Sequence, residues 1–125
     1  MFARRSLLIT LAAAALLAAC ASAPPLPRGV SLIDAERLKT RIQVSEPLVS
    51  RSDTGTLRVA VPVRNLVDGR LVIEGRATFR GSAGGEAPSG WKRVFINKDS
   101  SETLEFLSLS ERAGDYQIEL REGNR

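Results

Sequence analysis

The chain has 125 residues, 43% of them hydrophobic, with 18 Lys and Arg against 14 Asp and Glu, one cysteine and no histidine. Without histidine or a second thiol there can be no Ser-His-Asp triad, no Cys-His pair, no intrachain disulfide and no ordinary zinc donor set. The formal charge of +4 is carried by arginines interleaved with acids, so the composition supports no nucleic-acid footprint.

Residues 1–19 have the three-part layout of an export signal: a cationic start with Arg4 and Arg5, an uncharged apolar run over residues 7–17, and small residues leading into Cys20. The apolar run spans about 11 residues, against the roughly 20 needed to cross a hydrocarbon core, which argues against a permanent transmembrane helix. Leu17-Ala18-Ala19-Cys20 fits the bacterial lipobox. In that pathway the thiol takes diacylglycerol, the peptide is cut before the cysteine, and the freed amine is acylated. An ordinary signal with an incidental cysteine is the alternative. Cleavage would remove 19 of the 125 residues, leave 106, and leave 16 basic against 14 acidic side chains. Ala21 follows the cysteine where aspartate would mean inner-membrane retention, so the expected location is the outer membrane, facing the periplasm. The expected organisation is a signal peptide over 1–19, a lipidated cysteine and proline-rich tether over 20–30, and one domain over 31–125. A single small domain has room for one core but not for a second lobe or a deep cofactor cleft, so no cofactor is expected.

Ala21-Ser22-Ala23-Pro24-Pro25-Leu26-Pro27 reads as an extended tether. Ser31-Leu32-Ile33-Asp34 has capping-box spacing, and Leu32, Ala35 and Leu38 fall at helical intervals, which predicts a short helix to about Lys39. From Arg41 the period becomes two. Ile42 and Val44 alternate with polar residues until Glu46-Pro47 interrupts. After Thr54-Gly55, Leu57, Val59, Val61 and Val63 face one way and Arg58, Ala60, Pro62 and Arg64 the other; Pro62 implies a sheet edge or a position turned from its neighbour. Asp68-Gly69 makes a turn, and Leu71, Ile73, Ala77 and Phe79 then share a face opposite Glu74, Arg76, Thr78 and Arg80, with Gly75 as a flexible point between. Residues 81–90 hold four glycines and read as a long exposed connection. Strands follow at residues 91–96, 103–107 and 115–121, with Val94 and Ile96, Leu104 and Phe106, then Tyr116, Ile118 and Leu120 inward. Six or seven short strands without long helices predict an all-β fold, an immunoglobulin-like antiparallel β-sandwich, with a small open barrel as the alternative.

Several of these stretches together carry a resemblance. Residues 54–65, Leu71-Val72-Ile73-Glu74-Gly75-Arg76, Trp91, and Ala113-Gly114-Asp115-Tyr116-Gln117-Ile118-Glu119-Leu120-Arg121 resemble the YcfL-like family of bacterial envelope lipoproteins. The resemblance covers about residues 41–121 plus the lipoprotein signal. It implies an immunoglobulin-like sandwich, a lipobox and no established biochemical activity, hence no catalytic residues to carry over. The family's middle strand is richer in aromatics and ends in an acidic turn; here Gly75, Ala77, Phe79 and Gly81 stand at those places, and Arg76 and one aromatic persist.

Two residues are candidates for an interaction surface. Arg76, opposite the core parity, is either a solvated strand position or paired with a carboxylate such as Glu119 or presented to a partner. Trp91 is expected as a core plug at a strand start, with an interface anchor beside the glycine-rich loop as the alternative. Tyr116 is expected in the core, its hydroxyl capping a corner. Ser108, Ser110 and Glu111 invite a hydrolase reading, but no lysine follows either serine at the required spacing. The sequence therefore predicts a non-enzymatic module with no metal or catalytic residues. Its expected partners are the membrane, through lipid on Cys20, and another envelope protein. The competing expectation is a peptidoglycan or other glycan module, against which stands the shortage of aromatics, six in the whole chain.

Overall fold

Alternation of apolar and polar side chains dictates most of the strands. A computed structural model describes residues 25–82 and 84–124; the expected signal peptide, Cys20 and the start of the tether lie outside the described residues. In chain order the elements are β1 (Val30–Leu32), a one-turn helix α1 (Ala35–Leu38), β2 (Ile42–Val44), β3 (Leu48–Arg51), β4 (Leu57–Asn65), β5 (Leu71–Gly81), β6 (Gly84–Gly85), β7 (Lys92–Ile96), β8 (Ser101–Leu107) and β9 (Ala113–Glu122). The nine strands among the described residues exceed the six or seven expected, because β1, β3 and β6 are too short or too exposed to leave a periodic signature.

The strands form two sheets. In the first, β9 lies between β1 and β5, and the far edge of β5 is shared by β7 and β6. In the second, β4 is central, with β8 on one side and β2 then β3 along the other. Consecutive strands β4 and β5 lie in different sheets, as do β7 and β8, and β8 and β9. The result is an all-β sandwich of immunoglobulin-like layout rather than a barrel. Pairing is antiparallel except between β1 and β9, which run parallel with Val30 opposite Ile118.

The core lies between the inward faces. Val59, Val61, Val63, Ile73, Ala77, Ile96, Ile118 and Leu120 are fully buried, with Leu104 and Phe106 facing them from β8. Val30 is buried and paired, so the sandwich takes in one residue more than the predicted start at 31.

Four local expectations are corrected. Ser31 is no helix cap: it sits in β1, its hydroxyl beside Ile118 O at 3.5 Å and Gln117 Nε2 at 3.4 Å. The helix shrinks to one turn, with Asp34 in the left-handed region at its N-cap and no side-chain cap bond. Gly75 is a packing position rather than a flexible one: a Cβ there would stand 3.0 Å from Leu120 Cδ2, 3.2 Å from Phe106 Cζ and 3.3 Å from Leu104 Cδ2. Pro62, by contrast, takes the second of its two expected placements, turned from its neighbour within the central strand β4. Its carbonyl accepts from Ser45 N at 3.1 Å, so its donorless nitrogen faces the same side, where Glu46-Pro47 separates β2 from β3. Residues 81–90 are laced to β5: Glu86 N donates to Phe79 O and Ser89 N to Ala77 O, both at 2.8 Å, while Ala77 N donates to Ser89 Oγ at 2.9 Å.

Of the second sheet's outer strands, β8 is guarded. Lys92 Nζ donates to the carbonyl of Glu105, a cation occupying an edge acceptor that another strand would otherwise use.

Candidate functional site

The side chains that face outward from the first sheet make a ladder of opposite charges around an indole. Register sets the rows: Arg121 of β9, Glu74 of β5 and Arg93 of β7 stand side by side, and Glu119 stands beside Arg76 in the next row. Arg121 Nε donates to Glu74 Oε1 at 3.0 Å, Arg93 donates to Glu74 Oε2 at 3.2 Å, and Arg76 Nε donates to Glu119 Oε1 at 2.8 Å. The guanidinium carbon of Arg121 lies 3.6 Å from the centroid of the Trp91 ring and that of Arg76 lies 4.7 Å away. Farther along the same face, Arg70 packs over Phe95 at 4.8 Å, and Phe95 is 49% exposed.

Trp91 is therefore not a core plug. It stands half-exposed on the outer face. Val94 and Ile96 point inward, so odd-numbered residues of this segment point outward, and the inner space beside Gly75 is already filled by Phe106. Arg76 takes the paired form, with Glu119 as its carboxylate. The sequence reading missed Arg121, Glu74, Arg93 and Phe95 as neighbours of these two. Their outward parity was legible, but the pairing of β5 with both β7 and β9 was not.

Individually these contacts are weak, roughly 0–1 kcal/mol for a surface ion pair and about 0.5–1 kcal/mol for an exposed cation–π contact. Their effect is positional: carboxylates behind the arginines hold the guanidinium groups against the indole. Burial pushes the Glu74 carboxyl up, but hydrogen bonds and charge from Arg121 and Arg93 outweigh it and hold the group below its ordinary value. A carboxyl depressed in the folded state contributes stability above its unfolded pKa and loses it as pH falls through the folded one. Urea unfolding should therefore show a loss of stability between near-neutral pH and about pH 3 that is smaller in Glu74→Gln than in the parent protein. An equal loss in both would remove Glu74 from the acid sensitivity.

The other candidate groups are engaged structurally. Ser108 is buried; its Oγ accepts from Leu57 N and donates to Ser110 O, both at 2.8 Å. Ser110 Oγ accepts from Arg112 N at 3.0 Å. Ser89 and Lys92 have the spacing of a serine–lysine pair, yet Ser89 Oγ donates to Gly90 O at 3.0 Å while the Lys92 ammonium is held by Glu105. The Tyr116 ring packs on the core and beside Gly29. No hydrogen bond from its hydroxyl to a corner is present among the described residues, and burial, with Glu46 and Asp115 nearby, pushes its pKa up. Among the described residues no cluster of three or more His, Cys, Asp or Glu could hold a metal ion. An open cleft of ≈310 Å³ lies between α1 and the end of β9. Of the charged groups that line it, Arg37 reaches Glu122 at 3.5 Å, Glu122 is also held by Arg41 from outside the cleft at 3.0 Å, and Arg121 is turned to Glu74.

Fold and surface together define a small all-β sandwich whose most organised exposed feature is one sheet face. No family model matches the chain, and no curated protein matches it in sequence. Its fold is similar to that of Campylobacter jejuni cj0090, with a TM-score of 0.57 and 16% identity over 76% of this chain and 98% of that one. It is also similar to a DUF1425 family member from Shewanella sp. pv-4, with a TM-score of 0.55 and 17% identity over 67% of this chain and 80% of that one. At these identities the likeness is one of fold.

Proposed function

We propose that this chain is an envelope lipoprotein of the YcfL-like, DUF1425 kind. Lipid on Cys20 holds it to the outer membrane on the periplasmic side. It works as a non-enzymatic module that binds another envelope protein through the outer face of β7, β5 and β9. The observation that carries the reading is the placement of Trp91: the chain's one tryptophan is outside the core, on a face where Arg76 and Arg121 lie against its ring. Trp and Arg are the side chains that most often anchor protein interfaces. Likeness in fold to a DUF1425 family member supports the family, and the lipobox supports the anchor.

The test has two arms. Cys20→Ala should move the protein from the membrane fraction to the soluble one; continued membrane attachment sinks the anchor. A photo-crosslinking residue at Trp91 should capture one envelope protein in cells, while the same residue at Arg64, exposed on the opposite sheet, should not. No capture at Trp91, or equal capture at both, sinks the interface. A glycan module is the second reading, favoured by the half-exposed indole. Saturable binding of the protein to purified sacculi, abolished by Trp91→Ala, would establish it in place of the first.

A further inference from the structure

Arg76 and Arg121 are fixed in place yet keep most of their donors. A guanidinium carries five N–H groups. Each of these two spends the one on Nε, Arg76 on Glu119 and Arg121 on Glu74, and among the described residues neither makes another hydrogen bond. Other paired arginines of the molecule give more. Arg41 turns Nε and Nη2 to the two oxygens of Glu122, at 3.1 and 3.0 Å, and Arg93 turns the same two atoms to Glu74, both at 3.2 Å. Arg51 lays Nη1 between the carbonyls of Gly55 and Glu111. On Arg76 and Arg121 the Nη1–Nη2 edge, the fork that matches a carboxylate bidentately, is unfilled. Both side chains are nevertheless ordered, by the acid at Nε and by the Trp91 ring beneath. Ordering long side chains is a cost that binding usually has to meet; here the free protein has met it already.

Charge and spacing say what fits. The charged side chains that face outward from β5, β7 and β9 are Arg76, Arg80, Arg93 and Arg121 against Glu74, Asp115 and Glu119. Around Trp91 the cations are also the more accessible: the Glu74 side chain is 12% exposed, against 39% for Arg121 and 46% for Arg93. Arg76 and Arg121 stand diagonally across the pair of β5 and β9, a separation of roughly 7 Å. Side chains two residues apart on an extended chain are about 6.6 Å apart, which matches that diagonal. A uniformly anionic surface would bring its charge against Glu119 and Asp115 as well. A discrete segment need not.

We infer that the Trp91 face takes an acidic, extended segment of its protein partner, two carboxylates two residues apart entering the open forks of Arg76 and Arg121. The inference rests on the interface proposed above and names the chemistry of what that interface holds.

The chain's one tryptophan reports on the site itself. The full-length protein in neutral detergent is titrated with a short, end-blocked peptide in which aspartate alternates with threonine, and Trp91 emission is followed. A saturable change is expected, and none with the peptide that carries asparagine in place of aspartate. Arg76→Gln, Arg121→Gln and raised salt should each raise the midpoint at least about three-fold, while Arg64→Gln, which removes the same charge from the opposite sheet, should leave it unchanged. No saturable response, an equal response to the asparagine peptide, or an equal loss in Arg64→Gln overturns the inference. A shift of the emission on phosphatidylglycerol vesicles, absent on phosphatidylcholine vesicles and from the peptide titration, also overturns it and assigns the face to a membrane. Capture of an envelope protein at Trp91 in cells without a response to the acidic peptide overturns the acidic segment and leaves the interface standing. A response without capture overturns the envelope partner and leaves the carboxylate site standing.

Discussion

Asn65→Ala is expected to lower the stability of the domain by about 2–4 kcal/mol, because it leaves several buried backbone groups without partners at once. Asn65 is 1% exposed at the end of β4. Its Nδ2 donates to Gly69 O at 2.6 Å and to Ile96 O at 2.9 Å, and its Oδ1 accepts from Val67 N at 2.8 Å. One amide thus closes the turn that carries the chain from one sheet to the other and ties that turn to the end of β7. Asn65→Asp keeps the acceptor for Val67 but turns a carboxylate toward two carbonyl oxygens. It should be at least as destabilising near neutral pH and recover part of the loss on acidification, when the protonated group can donate again. Urea unfolding followed by the fluorescence of Trp91 measures both. A change within about 0.5 kcal/mol for Asn65→Ala, the usual range of surface substitutions, would show that the turn holds without its amide.

Gly75→Val should be strongly destabilising, at about 3 kcal/mol or more, with Gly75→Ala at about 1–3 kcal/mol. The position faces inward, where the Leu104, Phe106 and Leu120 side chains already occupy the space of a side chain. A bulky residue must push the Phe106 ring, which is fully buried and cannot move without disturbing β4. Phe106→Leu, destabilising alone, should be less so in the Gly75→Ala background, with a coupling of roughly 0.5 kcal/mol or more in a double-mutant cycle. Strict additivity would mean that the ring is not what fills the gap.

These two positions mark where sequence reading succeeds and where it stops. The inward faces of β4, β5, β8 and β9 were legible because one face of each is buried, and burial writes itself as alternation. Gly75 obeys the same parity but carries no side chain to reveal it. Its meaning depends on Phe106, a residue of the other sheet. Ser31 to Asp34 matched a helix start locally, while a parallel pairing with β9, remote in sequence, made the first part of it a strand. Trp91 was legible in principle, since its parity with Arg93 and Phe95 put it outside. The bulk of an indole argued for the core, and only the packing around Gly75 decides between the two. The rows joining Arg76 to Glu119, and Glu74 to both Arg93 and Arg121, depend on register, which alternation does not encode.

The parallel pairing of β1 also has a mechanical meaning. If the chain is held by its N-terminal lipid while a partner pulls on the sandwich, tension enters through Val30–Leu32, a three-residue strand lying along β9 and loaded end to end. The longer strands behind it share the load only after these few bonds slide. β1 and α1 are then the first to yield, paying out slack while β4, β5, β8 and β9 keep their grip on one another, so that a strained attachment lengthens before the domain comes apart.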